Sequence, residues 1–371
     1  MAKEAREKST QESAFIAVAR TRGRAYLRLP NVTSVGVGYR ITEGKMLDEL
    51  AIQFTVERKL APEALALEGL QSLPPSIQSA DGEEFVVDVV QRSFQPSYRI
   101  ISEPGLATKN VAEDVSRLRK IRHDPIAPGI SISHVDGSAG TIGAIVFDAQ
   151  NGTPYVLSNW HVLNGPTGKI GDDIVQPGPF DDGNIAPNTM GRLVRSHLGL
   201  AGDCAVCSIV GRRFDQAILE VGVAPSRIAE VSLGDAVVKS GRTTGVTHGK
   251  VNRVGVVVKI DYGSPTGEQQ VGGFEIGVNP GKPSTDGEIS MGGDSGSVWM
   301  IDTTGTDRNV AVGLHFAGET DPNPAAEHAV ACSIHSVLKK LQIGFGGPVA
   351  PPASAASAAA RKPRKARSKK A

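Results

Sequence analysis

The sequence predicts a mainly β chain, and three observations predict it. Between residues 129 and 344, short strand-like runs alternate with turn signals, the spacing of a sandwich or barrel. The 43 glycines are a high count and cluster around residues 129 to 320, which suits tight turns rather than long helices. A content of 40% hydrophobic and 21% charged residues is that of a soluble globular protein, and 371 residues suffice for two or three domains.

Taken in order, residues 11–29 set Phe15, Ile16, Val18, Ala19, Tyr26 and Leu27 among arginines at roughly helical spacing. Strand-like segments follow at 32–39, 49–56 and 84–91, with a short helix over 61–70 begun by Pro62 and a break at Pro74-Pro75. Residues 1–100 therefore read as a small α/β accessory domain without catalytic spacing. Residues 101–128 read as a short helix at 111–121 and then a linker ending in Pro125 and Pro128. Within the β domain, 129–344, the strand-like runs are 140–147, 155–162, 205–210, 236–239, 250–260 and 310–316. Residues 345–371 are low in complexity, first Pro/Ala/Ser and then Lys/Arg, the composition of a disordered tail.

The net charge of +1 hides a split: residues 361–370 hold seven Lys or Arg and no acid, so the remaining body is mildly acidic. The tail could neutralise several phosphates and bind nucleic acid weakly, without sequence preference; the plain alternative is a solvated solubility tail. Three cysteines, Cys204, Cys207 and Cys332, are too few and too odd in number for a disulfide framework and fit a reducing compartment. Cys204 and Cys207 have the spacing of a redox or metal pair, but they lie in an apolar run with no second pair, and packing is the expected role. The charged start is unlike a signal peptide, and no run is long and apolar enough to span a membrane, so a cytoplasmic protein is expected.

The chemistry concentrates in Gly292-Gly293-Asp294-Ser295-Gly296-Ser297, read with Asn159-Trp160-His161-Val162. A serine is a poor nucleophile until a base takes its proton, and it needs donors aimed at the oxyanion that forms when it attacks a carbonyl. The flanking glycines let the backbone turn tightly, so that the amides of Gly293 and Ser295 can form that oxyanion hole. His161, 134 positions before Ser295 at the end of an apolar strand, is the candidate base. Two acids could orient its imidazole. Asp203, 42 residues after His161 and 92 before Ser295, is favoured over Asp215; both begin apolar runs. Asp294 is expected to hold the loop rather than touch substrate.

These motifs resemble the trypsin-like (chymotrypsin-fold) serine proteases, whose triad has the same chain order of His, Asp and Ser. Residues 240–251, Ser-Gly-Arg-Thr-Thr-Gly-Val-Thr-His-Gly-Lys-Val, are similar to a hairpin of the bacterial streptogrisin group. The layout, with its Val-Gly-Val-Gly unit near the N-terminus, is similar to intracellular bacterial trypsin-like proteins related to the plant narrow-leaf proteins. The resemblance covers about 129–344. It implies a double β-barrel of chymotrypsin type, two six-stranded barrels with the triad in the cleft between them, and a serine endopeptidase acting on polypeptides without metal or cofactor. This chain departs from the family pattern in Trp160 before the histidine and in Ser297 after the motif's last glycine.

The resemblance also bears on specificity. Cleavage after Lys or Arg needs an acid six residues before the serine, where this chain has Ile289, so no basic preference is expected. Gly313-Leu-His315-Phe-Ala-Gly318 is similar to a strand of glutamyl endopeptidases whose histidine faces an acidic side chain, and Ser290 would add a hydroxyl. The implied preference is Glu or Asp before the cleaved bond. Readings of another class are a latent binding or scaffold protein on a protease fold, or an effector gated by a protein partner through residues 1–100.

Overall fold

A computed structural model describes residues 2–96, 113–319 and 327–346. The basic tail lies outside the described residues, as do most of the Pro/Ala/Ser stretch and the first half of the expected linker. Among the described residues no helix is long and apolar enough to cross a membrane.

The chain opens with helix α1 (Ala2–Thr21), which buries Phe15, Val18 and Ala19 of the expected apolar stripe. Strands β1 (Val32–Thr42) and β2 (Lys45–Val56) form a hairpin. Its turn residues, Glu43 and Gly44, both have positive φ (52° and 74°), the backbone that a two-residue turn needs to follow strand twist. After helix α2 (Pro62–Leu67) and strand β3 (Ser76–Gln78), β4 (Glu84–Gln91) runs parallel to β2, and β5 (Phe94–Pro96) ends this part. Phe15 packs edge-on against Phe85 at 4.8 Å, fastening α1 to the sheet.

Helix α3 (Glu113–Leu118) falls within the expected helix at 111–121. Arg119, just after it, is buried and donates from Nη1 to Gly129 O, Ser240 Oγ and Gly241 O at 2.8–3.1 Å, so the stretch read as a linker is anchored to the hairpin that carries Ser240.

The first barrel is built from β6 (Ser131–His134), β7 (Gly140–Thr141), β8 (Ala144–Asp148), β9 (Pro154–Ser158), β10 (Asp173–Val175), β11 (Thr189–Gly199) and β12 (Gly202–Ser208). The ladder runs β8-β9-β12-β11-β10-β6-β7, and β7 leads through Ile142 and Gly143 back into β8. Gly143 N donates to Leu157 O at 2.9 Å where the barrel closes. Ile132, Ile142, Ile145, Val156, Ile174 and Leu193 fill its interior.

After the short strand β13 (Arg227–Ile228), the chain forms the second barrel, a closed ring. Its six strands are β14 (Ala236–Gly241), β15 (Gly245–Asp261), β16 (Glu268–Val278), β17 (Val298–Ile301), β18 (Val310–Glu319) and β19 (His328–Ser333), ordered β14-β17-β18-β19-β16-β15 with β15 pairing back onto β14. With β7 and β8 counted as one strand continuing through Ile142 and Gly143, the first barrel also has six, and the chain is mainly β with two six-stranded barrels, as the resemblance implies. One core joins them: Ala144, Leu157 and Val206 of the first barrel pack in the same cluster as Val256, Val298 and Leu314 of the second.

Strand β1 also pairs with β15, at Val35 with Val257 and Ser34 with Val258, so the N-terminal strands extend the sheet of the second barrel. An ionic group crosses that seam. Buried Arg253 donates to Glu275 Oε2 (2.8 Å), Ser34 Oγ (3.0 Å) and Gln53 O (2.9 Å), and Arg92 pairs with the same Glu275. Burial alone would raise the Glu275 carboxyl, but the two guanidiniums outweigh it and hold it at about 2.

Candidate active site

His161 lies one step beyond its expected place. Strand β9 stops at Ser158, and a single helical turn, α4 (Trp160–Leu163), carries the imidazole. The backbone bond from Leu163 N to Asn159 O closes this turn. Asp203, in the neighbouring strand β12, is wholly buried. Its carboxylate accepts from His161 twice, Oδ1 from the backbone N–H at 3.2 Å and Oδ2 from ring Nδ1 at 2.5 Å. A third donor, the Tyr262 hydroxyl, reaches Oδ2 at 2.7 Å. The backbone of Asp203 is fixed as well: its carbonyl takes the Asn159 side-chain amide at 2.7 Å, and its N–H meets Cys332 Sγ at 3.2 Å. Asp215 is elsewhere, exposed, and caps a local turn by accepting from Ala217 N at 2.9 Å.

Ser295 is fully buried, with its hydroxyl 3.5 Å from Phe316 O and its carbonyl accepting from Thr141 N at 2.7 Å. Gly293 and Gly296 flank it at φ +99° and +96°, a region where side chains are strained. Two glycines of the first barrel let this turn approach. A Cβ on Gly140 would lie 3.0 Å from Ser295 O and within 2.7 Å of the Val162 side chain beside His161; a Cβ on Gly143 would lie 2.1 Å from Gly296 O. Most amides of the turn are used: Met291 N bonds to Asp294 Oδ2, Asp294 N to Met291 O, Gly296 N to His315 O and Ser297 N to Asp294 O. The amides of Gly293 and Ser295 donate to no group among the described residues.

Asp294 is the anchor of the turn. It accepts from the backbone of Thr243 and Thr244 and from the Thr244 hydroxyl, and pairs with Lys239. Burial would raise this carboxyl; the Lys239 ammonium and the Thr244 hydroxyl reverse that and bring it to about 2. Thr243 and Thr244 belong to the Gly-Arg-Thr-Thr-Gly hairpin tip, which gives that stretch a local task.

Of the three residues expected to line a specificity pocket, Ile289 and Ser290 share a neighbour not expected from the sequence, Glu327, while His315 lies beside Trp299. Ile289 is buried and its carbonyl takes the Thr247 hydroxyl at 2.7 Å. Ser290 Oγ and both ring nitrogens of His315 are buried without a partner among the described residues. Burial, reinforced by the nearby Lys239 ammonium, pushes His315 down to about 3, so it is neutral near pH 7. Glu327, also buried, accepts from the backbone amides of Ser290 and Ile289; burial and then the Glu288 carboxyl beside it push it up to about 9. Cys204 and Cys207 sit in the interiors of different core clusters, and burial raises both thiols.

Sequence reasoning missed Lys239, Tyr262 and Glu327. A lone lysine in the apolar run Ala236-Val237-Val238 was a usable signal for the first. Tyr262 and Glu327 carry none, because their partners are set by strand register.

The sequence matches no protein-family model and no curated protein. Among solved structures, the chain is similar to a Nocardiopsis protease (18% identity, TM-score 0.43) and to Thermobifida fusca protease A (17%, 0.41). It is also similar to a glutamic acid specific serine protease described as using a histidine triad in substrate binding (20%, 0.42). In each case the match covers 59% of this chain and 98% of the other.

Proposed function

We propose that this chain is a serine endopeptidase. Ser295 attacks the peptide carbonyl, His161 takes and returns the proton, Asp203 orients His161, and the amides of Gly293 and Ser295 receive the oxyanion. One observation carries the reading: the buried Asp203 carboxylate holds both the backbone and the ring of His161, on a turn that Gly140 lets press against Ser295. In this scheme residues 129–344 are the protease region, 1–100 an accessory region open to a protein partner, 101–128 a connector and 345–371 a tail. A place among the intracellular proteins related to plant narrow-leaf proteins, and a cytoplasmic location, belong to the same proposal.

A preference for Glu or Asp before the cleaved bond fits the pocket residues. Unpartnered Ser290 Oγ and His315 can donate to a carboxylate. Glu327 keeps its proton at neutral pH and so does not repel one. A peptide library cleaved best after large apolar residues would refute it. For the tail, a band shift with and without residues 352–371 decides nucleic-acid binding, and equal shifts reject it.

The decisive experiment is labelling with a fluorophosphonate probe beside Ser295→Ala and His161→Ala. Labelling of the unmodified protein alone is expected. A second reading, a latent protease-fold protein gated by a partner, is favoured by one observation, the complete burial of Ser295. Absence of labelling until a partner is added would establish it instead.

A further inference from the structure

Resting on the peptidase reading, we propose that Tyr262 is a positioning residue of the catalytic group, its hydroxyl fixing the Asp203 carboxylate in the orientation that holds His161. A carboxylate has no proton to give, so across the 2.7 Å contact the tyrosine donates. Asp203 Oδ2 therefore takes two donors, Tyr262 Oη and His161 Nδ1, and Oδ1 takes the His161 backbone. With Asp203 wholly buried, losing the hydroxyl would leave Oδ2 with the imidazole as its one remaining bonded donor among these contacts, and the carboxylate freer to turn.

The hydroxyl is placed by a ladder. Tyr262 directly follows β15, which is paired with β16 down to Asp261 with Glu268, and Tyr262 N closes the turn onto Gly267 O at 3.1 Å. Its ring stands edge-on to Trp160 at 5.8 Å and tilted against His161 at 6.2 Å, so the residue is wedged beside both α4 and the acid. Only 3% of Tyr262 is exposed, which keeps water from substituting for the hydroxyl.

Tyr262→Phe keeps the ring and removes only the oxygen. The expected result is a kcat about tenfold lower with KM unchanged, as for an interaction that acts through the base rather than on substrate. The NMR resonance of the proton between His161 Nδ1 and Asp203 should move, while the melting temperature falls by only a few degrees. Wild-type kcat with an unmoved resonance would overturn the proposal, as would a loss of stability with kcat and resonance intact. The resonance is read without turnover. If the wild type shows no Ser295-dependent hydrolysis, the peptidase reading fails, and a moved or unmoved resonance still decides for or against Tyr262 as the residue that positions Asp203.

Discussion

Lys239 places its ammonium 3.0 Å from Asp294 Oδ2, and neither side chain reaches solvent. One interior cation thereby ties the turn bearing Ser295 to strand β14, and the threonines at the hairpin tip complete the carboxylate's shell. Removing one partner of such a pair strands the other charge in the core, at a cost of about 3–5 kcal/mol. Lys239→Met should therefore lower the denaturant midpoint strongly and abolish probe labelling together. A variant as stable and as reactive as the wild type would show that the pair does not hold the turn.

Asp203→Asn tests the proposed orienting acid. The amide would present a donor to His161 Nδ1 and favour the wrong tautomer, an effect worth about 10⁴-fold in kcat for this type of triad. Hydrolysis of a peptide substrate by the purified variant measures it. Asp215→Asn, altering an exposed turn cap, should leave kcat within about twofold. The reverse ranking would move the acid to Asp215.

Gly296→Ala should inactivate through shape alone. A Cβ there would lie 2.1 Å from Ser158 Oγ and 2.4 Å from Thr141 O, on a backbone at φ +96°. Strain of this kind costs about 1–3 kcal/mol before the clash is added. A lowered melting temperature with lost labelling is the expected pair of results, and full activity would mean that the turn is looser than drawn.

Glu327 gives a pH signature. Its carboxyl is raised in the folded state, so its contribution to stability is complete below the ordinary carboxylate range near 4.5. That contribution is lost as pH climbs through about 9, because the unfolded chain releases its proton first. Unfolding free energies across that window should fall in the wild type and fall less in Glu327→Gln. Parallel slopes would mean that Glu327 ionises normally.

The motifs of the candidate site were legible where they are local. Ser295 with its glycines, and His161 with its apolar lead-in, each fit within six contiguous residues. The β architecture was legible too, since strand runs and turns write themselves into short windows. The rest depends on contacts distant in sequence. Tyr262 meets Asp203 across 59 residues and Lys239 meets Asp294 across 55, through register that no window reveals. The helical turn of α4 escaped notice because it lasts only four residues and closely follows the apolar run Tyr155-Val156-Leu157, too short a window for a helical period to show.

The seam between β1 and β15 bears on what can be cut away. Val254, Val257 and Val258 of β15 spend their pairing on β1, and Arg253 faces Ser34 and the Gln53 carbonyl from the same seam. A chain trimmed to residues 129–344 would bare a row of backbone donors and acceptors beside a half-covered ion cluster, an edge primed for other strands. Self-association is then the expected fate of the trimmed protein, visible by sedimentation, and a well-behaved monomer would show the edge can protect itself. The N-terminal strands act, in that sense, less as an attachment to the second barrel than as its missing wall.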